Sequence, residues 1–127
     1  MKYVIINKEA TLFDSNDWAM RILAEYIVQV SLDNIFNMIG ALKERDEYYN
    51  FWINETYVDY YADDYYLIGD PATGSYNGHD AVPEGMLWIK REQFIKMLQK
   101  WYELRSKRIT DIMITKDGEN FEMTEIV

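Results

Sequence analysis

The chain has 127 residues, of which 49% are hydrophobic, and it carries a formal net charge of −9 and no cysteine. This length predicts a single domain over residues 1–127, with enough apolar material for a buried core. The lack of cysteine excludes disulfides and thiol chemistry, and the negative charge disfavours binding to nucleic acids and anionic membranes.

The first part of the chain predicts one strand followed by two helical segments. Residues 2–6 are rich in β-branched side chains, which favour a strand. Residues 14–17 are typical of a helix N-terminus, and apolar residues recur at helical spacing from Trp18 onwards. Ser31 either caps a second helix or marks a bend, and an apolar stripe over residues 35–42 predicts the helix that follows.

The middle of the chain predicts a pair of strands and a long loop. Residues 51–58 and 65–68 are rich in aromatic and β-branched residues, and the turn between them is expected at or near Asp63 and Asp64. Residues 69–85 contain four of the six glycines and both prolines, which indicates a loop. Because so long a loop is uncommon in a compact domain, a functional or flexible role is expected for it.

The last part of the chain predicts a strand, a helix and a hairpin. A short strand is expected at residues 86–90, and apolar residues at helical spacing from Phe94 predict a helix. Residues 109–115 alternate in polarity, and an Asp-Gly turn leads to a returning strand at residues 120–126. Strands and helices are grouped rather than alternating, which predicts an α+β fold: a single domain with a mainly antiparallel sheet packed against two or three helices.

The negative charge is concentrated in the middle of the chain. Residues 46–89 contain nine Asp or Glu residues and no Lys or Arg, and nine aromatic residues lie between positions 48 and 66. Carboxylates beside tyrosines favour Lys and Arg side chains through ion pairs and cation–π contacts. The alternative interpretation is that the aromatic residues belong to the core and the acids to a solvated face. The two interpretations are compatible, because one face of a sheet can be buried while the other binds.

No catalytic or metal-binding pattern stands out in the sequence. His79 is the only histidine, so a zinc site is not expected. The oxygen atoms of Asp59, Asp63 and Asp64 suit a hard cation, but their spacing does not match an EF-hand and favours a solvated acidic turn. A nucleophile elbow and a phosphate-binding glycine pattern are lacking, while catalysis by paired carboxylates is left open. The prediction is a protein without enzymatic activity, metal or cofactor.

Three parts of the chain resemble small bacterial immunity proteins. They are residues 47–54 (EYYNFWIN), the acidic and aromatic hairpin after them, and residues 94–101 (FIKMLQKW) before the final hairpin. Immunity proteins of this kind neutralise the toxic C-terminal domains of contact-dependent-inhibition and other polymorphic toxins. The resemblance implies a cognate toxin domain as partner, and a basic nuclease domain is expected because many such proteins inhibit cationic nucleases. It carries no residue signature over to this chain.

The sequence thus predicts a protein that binds and neutralises a basic toxin domain. The predicted partner-binding residues are Glu55, Asp59, Tyr60, Tyr61, Asp63, Asp64, Tyr65 and Asp70. Two alternatives remain: a structural or regulatory interaction module whose acids serve solubility, and an enzyme that uses carboxylates or a bound cation. The apolar stretch at residues 3–6 is too short for a signal peptide, and no segment approaches the roughly 20 apolar residues of a transmembrane helix. A cytoplasmic protein is therefore expected.

Overall fold

The strands of this chain form two antiparallel sheets in a computed structural model that describes residues 1–7, 13–46, 48–53, 56–60, 64–69 and 86–126. In chain order the elements are β1 (Lys2–Ile6), β2 (Phe13–Ser15), α1 (Trp18–Ile27), α2 (Leu32–Glu44), β3 (Tyr57–Tyr60), β4 (Tyr65–Gly69), β5 (Met86–Lys90), α3 (Arg91–Ser106), β6 (Ile112–Asp117) and β7 (Asn120–Glu125). One sheet has the order β2-β1-β6-β7 and the other has the order β3-β4-β5. The predicted α+β class with antiparallel pairing is confirmed, with the strands divided between two sheets.

Both predicted helix starts are confirmed, because a side-chain oxygen accepts a hydrogen bond from the first turn in each case. The Asp17 carboxylate accepts from the Met20 N–H at 3.2 Å, and the Ser31 hydroxyl oxygen accepts from the Asp33 N–H at 3.2 Å. Such acceptors satisfy N–H groups that have no partner within the helix. At the other end of α2, Arg45 has a φ of 57°, the left-handed conformation that commonly terminates a helix.

The end of α3 explains why the last strand pair begins later than the sequence predicts. The Ile109 N–H donates to the Leu104 carbonyl at 2.9 Å, and Arg108 has a φ of 62°. These are features of the Schellman motif, which closes a helix with a left-handed residue. The predicted strand start at residue 109 is therefore wrong, and β6 begins at Ile112.

The turn of the final hairpin is also displaced by one residue from the predicted Asp-Gly turn. Asp117 pairs with Asn120, so the two loop residues are Gly118 and Glu119. Gly118 has a φ of 60°, which glycine adopts without the steric cost that a side chain would add. A positive φ at the first of two loop positions matches the type II′ hairpin turn.

The predicted strand over residues 51–58 is wrong at residues 51–53, which do not belong to β3, and this strand begins at Tyr57. Phe51 is only 4% exposed, and its ring lies 5.6 Å from that of Tyr66 and 5.9 Å from that of Phe94. The Phe51 carbonyl accepts a hydrogen bond of 2.7 Å from the buried hydroxyl of Tyr26, whose pKa is raised by that burial. A helix side chain therefore satisfies this backbone group instead of a strand partner, and the aromatic composition of the segment reflects core packing.

One hydrophobic core joins the two sheets and the three helices. Helices α1 and α3 each contact strands of both sheets, and α2 packs against α3. The apolar stripes predicted for the helices face this core, where Leu23, Ile35 and Phe94 are fully buried. The strand pair β3–β4 and the segment before it thus pack against this one core.

Removing the Tyr26 hydroxyl should destabilise the fold while leaving the ring packing intact. We expect Tyr26→Phe to lower the free energy of unfolding by about 1–2 kcal/mol, because the buried Phe51 carbonyl loses its partner. Urea denaturation followed by circular dichroism measures this change. Tyr48→Phe is the matched control, since Tyr48 is 96% exposed and its loss should cost less than about 0.5 kcal/mol. Equal losses in the two variants would contradict the role given to the Tyr26 hydroxyl.

Candidate protein-binding surface

The predicted binding residues divide into those that the structure describes and those that it does not. Four of the eight are described: Asp59, Tyr60, Asp64 and Tyr65. The other four lie outside the described residues: Glu55, Tyr61, Asp63 and Asp70. The long loop predicted at residues 69–85 lies outside them from residue 70 onwards, together with His79.

Asp64 is engaged by two arginines of the same chain. Its carboxylate accepts a hydrogen bond of 2.5 Å from Arg45, at the end of α2, and lies 3.6 Å from the Nε atom of Arg91. The Asp64 carbonyl also accepts from the Arg91 N–H at 2.7 Å, and the Arg91 guanidinium donates to the Leu42 carbonyl at 3.3 Å. Asp64 therefore connects the residue before β4 to the end of α2 and the start of α3. Because its carboxylate is already paired within the chain, we do not count it among the residues that could bind a partner.

Tyr65 takes part in a polar contact between the two sheets. Its hydroxyl donates a hydrogen bond to the carboxylate of Glu119, which lies in the loop between β6 and β7. The Lys90 Nζ atom lies 3.3 Å from the same carboxylate and 5.6 Å from the centre of the Tyr65 ring. The hydrogen bond between Tyr65 and Glu119 raises the pKa of the Tyr65 hydroxyl and lowers the pKa of the Glu119 carboxyl. Tyr65 is thus already bonded within the chain.

Asp59 and Tyr60 are exposed, and the structure brings Trp52 beside them. The Asp59 carboxylate accepts a hydrogen bond of 3.4 Å from the indole N–H of Trp52. Trp52 is 51% exposed and Tyr60 is 45% exposed, although the Tyr60 ring lies edge-on to that of Tyr66 at 5.5 Å. We call Trp52, Asp59 and Tyr60 the acidic–aromatic surface.

Strand β3 positions two of these side chains. It is an edge strand of its sheet, and β4 is its one strand partner among the residues that the structure describes. Successive side chains of a strand point to opposite faces. Tyr60 therefore shares the core-facing side with buried Val58, while Asp59 lies on the other side, opposite Leu67. The acidic–aromatic surface thus includes two residues of the edge strand β3.

Trp52 was not among the predicted binding residues, and its position depends on a local turn. The Asn50 side-chain oxygen accepts a hydrogen bond of 2.9 Å from the Trp52 N–H, as in an Asx turn. Next to it, Phe51 is buried in the core. The Trp52 side chain is 51% exposed, so it projects to the surface while the side chain of Phe51 is buried. Asn50 is the sequence signal that would have placed a turn here, whereas the contact with Asp59 depends on the fold.

No family model, curated protein or solved structure matches this chain. Within the described ranges, no group of three or more His, Cys, Asp or Glu side chains is placed to hold a metal ion. None of the described helices has both the length and the apolar character needed to cross a membrane. A function is therefore inferred from the charge and geometry of the acidic–aromatic surface.

Asp64 and Asp59 should differ in their contributions to stability. Asp64→Asn keeps a residue type that tolerates the φ of 64° at this position but removes the charge that faces Arg45 and Arg91. We expect the free energy of unfolding to fall by about 1 kcal/mol at low ionic strength, since these pairs are partly solvated.

The matched control for Asp64→Asn is Asp59→Asn. No Lys or Arg within the described part of the chain pairs with Asp59. Its substitution should therefore change the free energy of unfolding by less than about 0.5 kcal/mol. Urea denaturation at low and high ionic strength measures both variants. The loss for Asp64→Asn should shrink as salt is added, and equal effects of the two substitutions would argue against a separate role for Asp64.

Glu119 should titrate below its usual pKa of 4.5, because the Tyr65 hydroxyl donates to its charged form. Its pKa is lower in the folded than in the unfolded chain. The contribution of this contact to stability is therefore present above pH 4.5 and is lost as the pH falls through the folded pKa. NMR titration of the Glu119 carboxyl carbon measures the pKa directly. In Tyr65→Phe the pKa should move back up, and an unchanged value would show that the hydrogen bond is not its cause.

Proposed function

We propose that this chain is an immunity protein that binds a basic toxin domain and neutralises it by steric and electrostatic blockade. The observation that carries the proposal is the segregation of charge. Residues 46–89 contain nine Asp or Glu residues and no Lys or Arg, which accounts for the whole net charge of −9 because acids and bases balance in the rest of the chain. The described part of this segment exposes the aromatic side chains of Trp52 and Tyr60 beside the Asp59 carboxylate.

The charge of the segment supports a cationic partner. A nuclease domain must attract phosphate, so its active cleft is positively charged, and a negatively charged protein that enters the cleft competes with the nucleic acid. Complementary charge also accelerates association through electrostatic steering. The net charge of −9, which lies within one segment of the sequence, favours such steering of a basic partner. These properties support an inhibitor of a basic enzyme more than a surface whose acids serve solubility alone.

The exposed aromatic residues can supply binding energy at short range, which long-range charge attraction alone does not. Tyr and Trp dominate the binding energy of many protein interfaces, because they cover a large area with few rotatable bonds. On this chain Trp52 and Tyr60 are exposed beside the Asp59 carboxylate, and Asp59 and Tyr60 belong to the edge strand β3. Their backbone is supported by the core through Phe51 and by the pairing of β3 with β4. The surface therefore needs little ordering when a partner binds.

Affinity capture from a lysate of the source organism tests the proposal. We expect the wild-type chain to retain one basic protein with a nuclease-like domain at low and at moderate salt, identified by mass spectrometry. With that protein purified, Asp59→Lys should weaken the complex by about ten- to a hundredfold, mainly through slower association. Surface plasmon resonance measures the rates, and a nuclease assay measures neutralisation.

Asp111→Lys is the matched control for Asp59→Lys. Asp111 is exposed beside the four-stranded sheet, and its substitution changes the net charge by the same amount. If the position of the charge matters, Asp111→Lys should change the affinity by less than about threefold. Equal weakening by both substitutions would show that the total charge acts without the acidic–aromatic surface. A retained partner that is neither basic nor neutralised would contradict the immunity function itself.

A further inference from the structure

We propose that Trp52 and Asp59 form a subsite for an arginine side chain of the partner. This inference rests on the proposed function, because it names the side chain by which the basic partner is held. Its starting point is the hydrogen bond of 3.4 Å from the Trp52 indole N–H to the Asp59 carboxylate. That bond places a negative charge at the edge of a large aromatic ring that is half exposed.

The chemistry of the pair suits a guanidinium group. An ionised carboxylate offers about four lone-pair positions, so the bond from Trp52 leaves acceptor capacity on Asp59. A guanidinium is planar and carries five N–H donors. It can therefore donate to the Asp59 carboxylate while its plane lies against the exposed part of the indole, where the cation–π attraction is strongest among the aromatic residues.

The same chain contains a complete version of this arrangement. The Tyr65 hydroxyl donates to the Glu119 carboxylate, and the Lys90 ammonium both pairs with that carboxylate at 3.3 Å and lies 5.6 Å from the Tyr65 ring centre. An aromatic donor, a carboxylate and a cation thus form a closed triad. Trp52 and Asp59 form the first two members of such a triad, and no Lys or Arg of the described residues pairs with Asp59.

The identity of the ring favours arginine over lysine as the third member. Elsewhere in the chain the guanidinium of Arg105 lies 5.3 Å from the centre of the Trp101 ring, so tryptophan already pairs with arginine in this fold. An arginine is more weakly hydrated than a lysine and stacks on the flat indole surface, whereas an ammonium acts as a compact point charge. A site that combines indole and carboxylate therefore discriminates between the two cations.

The subsite is held in place before any ligand arrives. The turn at Asn50 fixes the Trp52 N–H, and buried Phe51 anchors the adjacent backbone. On the other side, Asp59 lies in β3, opposite Leu67 of β4. Both side chains thus project from supported backbone, which lowers the entropic cost of binding.

An NMR titration with small probes tests the subsite without the partner. The 15N-labelled protein is titrated with N-acetyl-arginine amide and, separately, with N-acetyl-lysine amide, and the indole N–H signals are followed. We expect the arginine probe to shift the Trp52 signal about threefold or more further than the lysine probe does at equal concentration.

The Trp18 signal is an internal control, because Trp18 is 54% exposed but the neighbouring Asp17 carboxylate is occupied by the Met20 N–H and by Lys2. Equal shifts from the two probes, no shift at Trp52, or an equal response at Trp18 would each overturn the subsite.

Asp59→Asn separates the charge from the shape of the subsite. The amide oxygen of Asn can still accept from the Trp52 indole, but the negative charge is gone. We expect the arginine response of Trp52 to be lost in Asp59→Asn and kept in Asp111→Asn, which removes an exposed charge next to β6 of the other sheet. An arginine response that survives in Asp59→Asn overturns the inference. If the arginine probe fails while Asp59→Lys still weakens the captured partner, the subsite is wrong and the proposed function stands.

Discussion

Packing around the ring of Phe94 holds together the segments on which the acidic–aromatic surface depends. This ring lies between 5.7 and 6.4 Å from those of Tyr26, Phe51 and Tyr66, which come from α1, the segment before β3, and β4. The Tyr26 hydroxyl adds a hydrogen bond to the Phe51 carbonyl. Because aromatic rings bury large areas with specific geometry, such a cluster fixes position as well as stability. Trp52 follows Phe51 directly, so the packing of Phe51 in the core also fixes the backbone position of Trp52.

The described acids of the middle segment serve two different purposes. Asp64 is neutralised by Arg45, which follows the last residue of α2, and by Arg91, the first residue of α3, and these two helices pack against each other. Similarly, the carboxylate of Glu119 in the last hairpin forms an ion pair with Lys90 and accepts a hydrogen bond from the Tyr65 hydroxyl. These contacts tie the strand pair β3–β4 to the rest of the fold. Asp59 pairs with no Lys or Arg of the described residues, and its carboxylate accepts a hydrogen bond from the exposed Trp52.

Interactions between residues close in sequence predict much of this fold. The errors arise where contacts between residues far apart in sequence determine the local structure. The caps at Asp17 and Ser31 and the apolar stripes of the helices depend on neighbouring residues, so the sequence predicts them well. The strand expected at residues 51–58 is wrong at its start, where a helix tyrosine satisfies the Phe51 carbonyl. The α+β class with antiparallel pairing follows from the grouping of elements. By contrast, the pairing of Asp64 with Arg45 and the meeting of Trp52 with Asp59 have no local signal.

Charge and geometry make separate contributions to recognition by such a surface. A negative field that extends over roughly a Debye length of about 8–10 Å attracts many cationic proteins and cannot distinguish them well. Discrimination requires short-range contacts whose groups are fixed before binding. On this chain the net negative charge lies within residues 46–89, whereas the proposed fixed contacts come from Trp52 and Asp59. The proposed partner must therefore be basic overall and must also present a planar cation at one defined position, which is a much narrower requirement than positive charge.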